Sequence, residues 1–264
     1  MSVRALMVLV LIIGGGLGWV LYRARLQRDA VAAIRRVGGE AAYSWQWSHG
    51  RPISPPPRPP WPAWLRRILG PDFLDTVTFV RLYGEQCDDE AMRAACRLPW
   101  LEELSVVNTS VTDASAEDLR QLTKLRSLVL ALNRITKRPL RHIGEMRELR
   151  ELTLSLKRFP IPARDEDMAF LQRLTKLESL KLYSANLDDA WLVYLEKLEN
   201  LKSLHLTDTA MTAAGLDHLK GLPNLTALLS LGGTEFPLTR PNATPAELAE
   251  RGEMLRRIQL IRGK

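Results

Sequence analysis

The chain has 264 residues, which is enough for one or two domains with a sizeable core. Apolar residues make up 46% and charged residues 25%, so the chain is not wholly disordered, and its two cysteines exclude a disulfide scaffold and a four-thiolate zinc site. Residues 1–70 hold 10 Lys/Arg and 2 Asp/Glu, whereas residues 71–264 hold 27 and 28. This basic N-terminal part points to a membrane surface, and no nucleic-acid partner is expected.

The first element in chain order is an apolar run at residues 5–22, which is 18 residues long and carries no charge. That length is roughly the minimum for a helix that spans a bilayer. Trp19 and Tyr22 lie at one end of the run, where amphipathic rings favour the headgroup level. Residues 1–25 are therefore predicted to form a signal-anchor, a single-pass transmembrane helix. The alternative is a cleaved signal peptide, but arginines rather than small residues follow the run.

Arginines cluster directly after the apolar run. Arg23, Arg25 and Arg28 are expected at the membrane surface, close to anionic headgroups. More arginines follow the run than precede it, so the positive-inside rule places the body of the protein on the cytoplasmic side.

Two short modules connect the anchor to the body. Residues 26–50 combine helical spacing with alternating Tyr43, Trp45 and Trp47, which predicts a juxtamembrane helix and strand that form a cap. Residues 51–76 begin with seven prolines between positions 52 and 62, which are followed by a short amphipathic helix that ends at Gly70. The prolines predict a stiff linker or a strap over the end of the body, with a PxxP docking ligand as the alternative.

The body of the chain repeats one pattern. Apolar residues recur at a start position and three and five residues later, as in Leu101, Leu104 and Val106. Four of the five spacings between complete units are 24 residues and one is 28. The starts are Val77, Leu101, Leu125, Leu149, Leu177 and Leu201, with an incomplete seventh at Leu225. Such self-similarity is typical of stacked units that share one continuous core.

The second half of each unit switches to a helical period, as in Met92, Ala95 and Leu98. Aspartate or threonine precedes most of these segments and is expected to cap a helix. The predicted caps are Asp88 or Asp89, Thr112 or Asp113, Thr136, Asp188 or Asp189, and Thr212. A strand and then a helix at a fixed repeat predict a parallel sheet with outer helices. Because helices need more room than strands, the sheet is expected on the concave side.

These units resemble leucine-rich repeats. The LxxLxL strand pattern is carried by LEELSV at 101–106, LESLKL at 177–182 and LKSLHL at 201–206. The resemblance implies a curved α/β leucine-rich-repeat solenoid over residues 77–231, preceded by the transmembrane helix. The whole layout, with AxxAIRRxGGExxYxW and PPWPAWLRRILG before the repeats, also looks like a bacterial family of membrane-anchored leucine-rich-repeat proteins, for which no activity is established.

The chain departs from that repeat pattern in two places. Asparagine is frequent after the strand in such repeats, but Asn108 and Asn133 fall near that place without sharing one register. The fourth unit has four extra residues within 155–167, and insertions in repeats map to loops that are often functional. Beyond the repeats, residues 232–264 predict a linker and a helix that closes the solenoid, with a free partner-binding helix as the alternative.

No motif for catalysis or for a cofactor is found. The histidines are scattered, and no phosphate loop or dinucleotide motif occurs. Cys87 falls in the apolar register and is expected to be buried and inert, and a disulfide with Cys96 would require the fold to bring the two together. We therefore expect no catalytic residue, no metal and no cofactor, and a protein that is not an enzyme.

The outward-facing strand positions are the candidate protein-binding site. These residues would lie on the concave face: Phe79, Arg81, Tyr83, Glu103, Lys181, Tyr183 and His205. Tyrosines are favoured anchors at interfaces. The sequence thus predicts a membrane-anchored, non-catalytic scaffold that binds an unknown protein. The alternative is a structural or anionic-lipid-binding protein that acts through its basic juxtamembrane segment.

Overall fold

A computed structural model describes residues 3–48, 51–53, 57–155, 165–183, 188–207 and 214–231. Within these ranges the side chains of residues 3–13, 17, 48, 51, 52, 165, 216 and 228–231 are not described. The predicted C-terminal segment 232–264, the predicted cap Thr212 and residues 156–164 of the fourth-unit insertion lie outside the described residues.

The chain begins with one long helix, α1 (Val3–Arg36), which continues through the predicted boundary at residues 25 and 26. Its second half follows the predicted spacing and packs against the first repeat, with Ala30, Val31 and Ile34 buried in the core. Gly38 follows the helix at a φ of 78°, a conformation that glycine adopts readily. A Cβ on Gly39 would lie 2.8 Å from Ile34 Cγ2, so the turn after α1 needs glycine there as well.

Among the residues that the structure describes, no helix is both long and apolar enough to cross a membrane. Much of the predicted anchor falls on residues whose side chains are not described.

The cap that follows α1 consists of a short strand and a separate hairpin instead of one continuous strand. Strand β1 (Glu40–Tyr43) pairs antiparallel with the first strand of the solenoid. The chain then turns, because the Gln46 backbone N–H donates to the Tyr43 carbonyl oxygen at 2.9 Å. Trp47 therefore belongs to a separate hairpin, β2 (Trp47–Ser48) with β3 (Arg51–Pro52), and the prediction of one strand through Tyr43, Trp45 and Trp47 is wrong.

Two short helices lie between the cap and the repeats, α2 (Ala63–Leu69) and α3 (Pro71–Leu74). Gly70 joins them at a φ of 79°, and this left-handed backbone lets the chain change direction within one residue. Helix α3 packs against α1, and α2 packs against α3.

Seven parallel strands form the sheet of the solenoid, and they follow one another in chain order. They are β4 (Val77–Tyr83), β5 (Glu103–Val107), β6 (Ser127–Ala131), β7 (Glu151–Ser155), β8 (Ser179–Tyr183), β9 (Ser203–Thr207) and β10 (Ala227–Leu231). Each residue pairs with the equivalent residue of the next unit, as Leu104 does with Val80 and with Leu128. The repeat spacing thus determines the register, and the leucine-rich-repeat fold implied by the resemblance is confirmed.

The core has two layers, and both follow the predicted positions. Strand residues such as Leu104, Leu128 and Leu180 are at most 1% exposed. On the opposite side, residues such as Met92, Leu119 and Leu195 close the same core. One buried cluster runs from α1 to Leu225, so no unit has a separate core.

The outer segments differ from the predicted α-helices. Among the outer segments in the described ranges, α4 (Asp89–Cys96) in the first unit is the only α-helix of two turns, and α5 (Leu140–Ile143) is a single turn. The other outer segments are 3-10 helices: Asp113–Gln121, Asp165–Arg173, Ala190–Leu195 and Gly215–Leu219. An α-helix with side chains is roughly 10 Å wide, whereas strands repeat at about 4.8 Å, so a narrower helix suits units as short as these.

Asp88, Thr112 and Asp188 cap the starts of their outer segments as predicted. The prediction for Thr136 is wrong, because α5 begins after Pro139, which makes no side-chain cap bond. The Asp88 carboxylate accepts from the backbone N–H groups of Glu90 and Ala91, at 3.0 and 3.2 Å. Thr112 accepts from Ala114 N–H at 3.2 Å, and Asp188 accepts from Ala190 N–H at 2.8 Å.

Candidate functional site

The common register of the strands arranges their outward side chains in three rows across the concave face. The first row is Phe79, Glu103, Ser127, Glu151, Ser179 and Ser203; the middle row is Arg81, Ser105, Val129, Thr153, Lys181 and His205; the last row is Tyr83, Val107, Ala131, Ser155, Tyr183 and Thr207. Neighbouring strands lie about 4.8 Å apart, so Tyr83 and Tyr183 are separated by roughly 19 Å along the sheet. All seven predicted residues belong to these rows.

The cap covers the first-row residue of β4. The rings of Trp47 and Phe79 stack with their centroids 3.8 Å apart, and Phe79 is only 3% exposed. Trp47 Nε1 also donates to Glu103 Oε2 at 3.1 Å. Phe79 therefore faces the concave side as predicted but is not accessible to a partner, because Trp47 lies over it.

Arg81 is also held by the cap. Its guanidinium lies 5.5 Å from the ring centroids of both Trp47 and Phe79 and 3.4 Å from the Glu40 carboxylate. These contacts orient the Arg81 side chain without burying it. The N-terminal end of the concave face is thus formed by residues of both the first repeat and the cap. The spacing of the repeats does not predict this contribution of the cap.

The middle of the concave face is lined by small and weakly polar side chains. An open groove of about 420 Å³ runs from Arg81 to Lys181 and includes Ser105, Val129 and Thr153. Small-molecule sites are usually enclosed and mostly apolar, whereas this groove is open and carries hydroxyl and charged groups. Its shape suits the surface of another macromolecule.

Lys181 and His205 are direct neighbours on β8 and β9. Burial lowers the pKa of His205 below its usual value of 6.5, and the positive charge of Lys181 lowers it further. At neutral pH the imidazole is therefore uncharged, and Lys181 carries the positive charge at this end of the middle row.

The two tyrosines of the last row are both accessible, but to different degrees. Tyr83 is 60% exposed, whereas Tyr183 is half-buried. Val107, Ala131 and Ser155 lie between them, so the surface between the rings carries no large side chain. A ligand that contacts both rings would have to cross the strands.

A charged ladder on the rim of the sheet was not singled out from the sequence. It consists of the residues one after the second to sixth starts: Glu102, Arg126, Arg150, Glu178 and Lys202. Arg126 lies 3.5 Å from Glu102, Lys202 lies 2.6 Å from Glu178, and Arg150 also pairs with Glu178. Lys202 and Arg150 lower the pKa of Glu178. Together with Trp47 the ladder lines a groove of about 580 Å³. The 24-residue recurrence of charged residues was the signal for this ladder.

The predicted membrane-surface arginines divide into two groups. Arg23 is partly buried; its Nη2 donates to Thr76 Oγ1 at 2.7 Å, and its guanidinium lies 5.8 Å from the Trp19 ring. Arg25 and Arg28 are exposed. Arg23 thus helps to hold α1 on the solenoid, whereas the other two remain open to solvent or to a membrane.

Within the described part of the chain, no group of three or more His, Cys, Asp or Glu residues could hold a metal ion. Cys87 and Cys96 are both free and buried. Burial raises the pKa of each thiol, which keeps both protonated and unreactive at neutral pH.

The similarity of this chain to known proteins is low. No protein-family model and no curated protein matches the chain. An internalin (inlF) from Listeria monocytogenes is 21% identical over 61% of this chain and 48% of its own, with a TM-score of 0.38. Human 5T4 (trophoblast glycoprotein) is 22% identical over 52% of this chain and 54% of its own, with a TM-score of 0.37. An internalin C2 from Listeria monocytogenes is 17% identical over 61% of this chain and 82% of its own, with a TM-score of 0.39.

The chain thus spans about half the length of the first two of these structures. Identities and TM-scores of this size assign neither a function nor a partner to this chain. The leucine-rich-repeat fold is supported by the register of its own strands.

Proposed function

We propose that the chain is a membrane-anchored, non-catalytic scaffold that binds another protein through its concave face. One observation carries the proposal: the register keeps the middle and last rows aligned beyond the cap, where Val129, Thr153, Lys181, Tyr183 and His205 are all only half-buried. A solvent-accessible surface of aligned small residues, with a tyrosine and a lysine at one end, is suited to a macromolecular ligand.

The chemistry of the partner follows from that end of the face. Lys181 supplies one positive charge beside the uncharged His205, and Tyr183 offers an aromatic ring and a hydroxyl. We propose that an acidic or hydrogen-bond-accepting segment of the partner lies against Lys181, with apolar contact to Tyr183. Tyr83 would contact the partner at the other end, beside the cap.

Anchoring by residues 1–25 is part of the same proposal and is supported by the sequence. The uncharged run at 5–22 has Trp19 and Tyr22 at its end and is followed by Arg23, Arg25 and Arg28. The excess of arginines after the run would place the solenoid on the cytoplasmic side.

The test compares partner capture by variants of the full-length chain from detergent-solubilised native membranes. We would replace Tyr83, Tyr183 and His205 by alanine together, and identify and quantify the co-purifying proteins by mass spectrometry. A matched control replaces Val193, Glu117 and His218 by alanine, since these lie on the outer side of the solenoid and are at least partly exposed. Circular dichroism would verify that both triple variants are folded.

A protein that is captured by the wild-type chain and by the control, but lost by the concave-face variant, would support the proposal and identify the partner. Equal capture by all three would remove the concave face from consideration and move the search to the 155–167 insertion or the proline-rich linker.

A second candidate function is binding of anionic lipid by the juxtamembrane segment, and the exposure of Arg25 and Arg28 favours it. A peptide of residues 20–40 would then bind vesicles with anionic headgroups, with an affinity that falls steeply as salt is added. The same peptide with Arg25→Gln and Arg28→Gln is the control. Binding that is independent of salt would contradict this role.

A further inference from the structure

Exposed apolar side chains are concentrated before the repeats. Of the 12 large apolar residues that are exposed in the described part of the chain, eight precede Val77. Four of the eight surround α2: Trp61, Trp64, Ile68 and Leu69. We call these four residues the α2 patch. The long repeat region exposes only four such residues, so the patch is not a general property of this surface.

The patch has the form of one helix face. Trp64 and Ile68 are four residues apart and lie on the same side of α2, where they are 64% and 72% exposed. Trp61 precedes the helix, and its Nε1 donates to Asp75 Oδ1 at 3.2 Å, which fixes the chain that leads into α2. The opposite side of α2 faces α3 and the cap, where the Arg66 guanidinium lies 5.9 Å from the Trp45 ring.

Hydrogen bonds attach residues 75–77, which follow α2 and α3, to Arg23 and Gln27 of α1. Gln27 Nε2 donates to the Asp75 carbonyl oxygen at 2.9 Å, and the Val77 N–H donates to Gln27 Oε1 at 3.0 Å. Arg23 donates to Thr76 one turn earlier. At about 1.5 Å per residue, Gln27 is only about 8 Å along the helix axis from Tyr22, the last residue of the apolar run. The α2 patch is therefore tied to α1 just beyond the end of that run.

All charged residues in the segment that carries the patch are positive, and the Asp75 carboxylate that accepts from Trp61 belongs to a buried residue. Residues 57–70 contain Arg58, Arg66 and Arg67 but no Asp or Glu. Arg58 and Arg67 are exposed. Tryptophan at the level of the headgroups, apolar side chains on one helix face and arginines beside them are the features of a helix that lies in a membrane interface.

We infer that α2 is a second membrane contact, in which Trp64 and Ile68 insert among the lipids of an anionic bilayer and Arg58 and Arg67 contact the headgroups. The inference rests on the anchoring proposed above, because α1 brings α2 to the membrane surface. With two contacts instead of one, the solenoid cannot turn freely about the axis of α1. The bilayer would thus set the direction in which the concave face points.

The test measures the depth of α2 in the full-length chain, reconstituted in vesicles of phosphatidylcholine and phosphatidylglycerol. Trp64→Cys and Ile68→Cys are labelled in turn with a nitroxide, and its collisions with oxygen and with a water-soluble nickel chelate are compared. Val193→Cys is the control, since Val193 is 39% exposed on the outer side of the solenoid. Cys87 and Cys96 are buried, and labelling of the wild-type chain checks that neither reacts.

The expected result is that labels at positions 64 and 68 meet oxygen more often than nickel, as in lipid, while the label at 193 meets nickel. In vesicles of phosphatidylcholine alone, or with Arg58→Gln and Arg67→Gln, the label at position 64 should move towards water. Contact with nickel at both patch positions would overturn the inference. Protection from both reagents would also overturn it, because protein rather than lipid would then cover the patch.

Flotation of the same samples at alkaline pH separates the two proposals. A chain that floats with the vesicles but has water at positions 64 and 68 is anchored without the second contact. A chain that does not float overturns the anchoring and the inference together.

Discussion

Leu132 has a backbone conformation that its side chain does not favour. It lies seven residues after the start of its unit, and at that place the chain turns out of the strand with a positive φ. The equivalent residues are Gly84 with a φ of 96° and Asn108 with a φ of 52°, whereas Leu132 has a φ of 57° and is 41% exposed. Glycine and asparagine tolerate the left-handed region, but a leucine there is strained.

We therefore expect Leu132→Asn to stabilise the protein. The substitution would raise the free energy of unfolding by about 0.5–1 kcal/mol, because it relieves backbone strain and removes an exposed apolar group. Urea denaturation followed by circular dichroism would measure it. Leu132→Ala is the control, since alanine is strained in the same way, and we expect it to stay within about 0.5 kcal/mol of wild type. A decrease in stability for Leu132→Asn would show that the contacts of the leucine side chain stabilise the protein by more than its backbone strain destabilises it.

Asn133 makes a buried connection between the ends of two strands. Its Nδ2 donates to the Val106 carbonyl oxygen at 2.9 Å, and its Oδ1 accepts from Thr109 N–H at 3.2 Å and from Thr109 Oγ1 at 2.8 Å. Both Asn133 and Thr109 are buried. The equivalent residue of the second unit is thus Thr109, and Asn108 is instead the residue of the left-handed turn. The two asparagines have no common register because Asn108 provides the left-handed turn, whereas Asn133 makes the buried hydrogen bonds.

Asn133→Ala should destabilise the protein by about 2–3 kcal/mol, since it removes three buried hydrogen bonds to Val106 and Thr109. Thermal and urea unfolding would detect the change. Asn224→Ala is the matched control: its side chain also donates to a carbonyl oxygen, that of Glu199 at 2.8 Å, but Asn224 is exposed. Water can replace that bond, so we expect an effect below about 1 kcal/mol. Equal effects for the two variants would contradict this difference.

At the scale of elements, aspartates connect the outer segments of the first three units. Asp89 Oδ1 accepts from Thr112 N–H at 2.9 Å and from Ser115 Oγ at 2.7 Å, and its Oδ2 accepts from Thr112 Oγ1 at 2.6 Å. Asp113 accepts from Thr136 N–H at 2.8 Å in the following unit. Asp88 thus caps its own helix, whereas the neighbouring Asp89 binds the next unit. The sequence predicted the capping role but not the connection between units.

The link through Asp89 should make part of the stability dependent on pH. Burial raises the pKa of this carboxyl, but the hydrogen bonds from Thr112 and Ser115 outweigh burial, so the pKa lies below its usual value. Its stabilisation is therefore fully present above the unfolded pKa of about 3.9 and is lost as the pH falls through the lower folded pKa. We expect Asp89→Ala to cost about 1.5–3 kcal/mol at pH 7, and the difference from wild type to shrink below about pH 4.

Urea denaturation at a series of pH values would check this dependence. Glu117→Gln, an exposed residue of the neighbouring segment, is the control and should follow the wild-type curve. An effect of Asp89→Ala that stays constant down to the acid transition would contradict the proposed bonds.

The outer elements also show where sequence patterns are ambiguous. An apolar residue every third position fits a 3-10 helix as well as an α-helix, and Leu192, Leu195 and Leu198 have that spacing. The 3-10 helix, which is the narrower of the two, is selected by packing of the outer segments at the spacing of the strands. In the cap, the alternation at Tyr43, Trp45 and Trp47 was compatible with one strand, but Gln46 bonds back to Tyr43 through its backbone and its side chain and closes a turn there.

For the whole molecule, the sheet and its register could be predicted because identical spacings must pair identical positions. Leu104, Leu128 and Leu152 lie side by side for that reason. The cover over Phe79 could not be predicted, because Trp47 belongs to a hairpin outside the repeat and its position depends on a turn. The placement of the outward residues in rows could thus be predicted, whereas their accessibility required the structure, and their role in binding stays a prediction.

A local loss of stability should spread only to neighbouring units, and α1 acts as the unit before the first repeat. Ile34 of α1 is fully buried against the first repeat, so Ile34→Ala should cost about 2–4 kcal/mol in local stability. Hydrogen exchange of the detergent-solubilised chain should become much faster in β1 and β4 but change little in β9, since each unit contacts only its neighbours. Ala32→Ser, at an exposed position of the same helix, should change exchange only slightly. Unchanged exchange in β4 would show that α1 is not part of the solenoid core, and an equal increase in β9 would show that the whole chain unfolds as one unit.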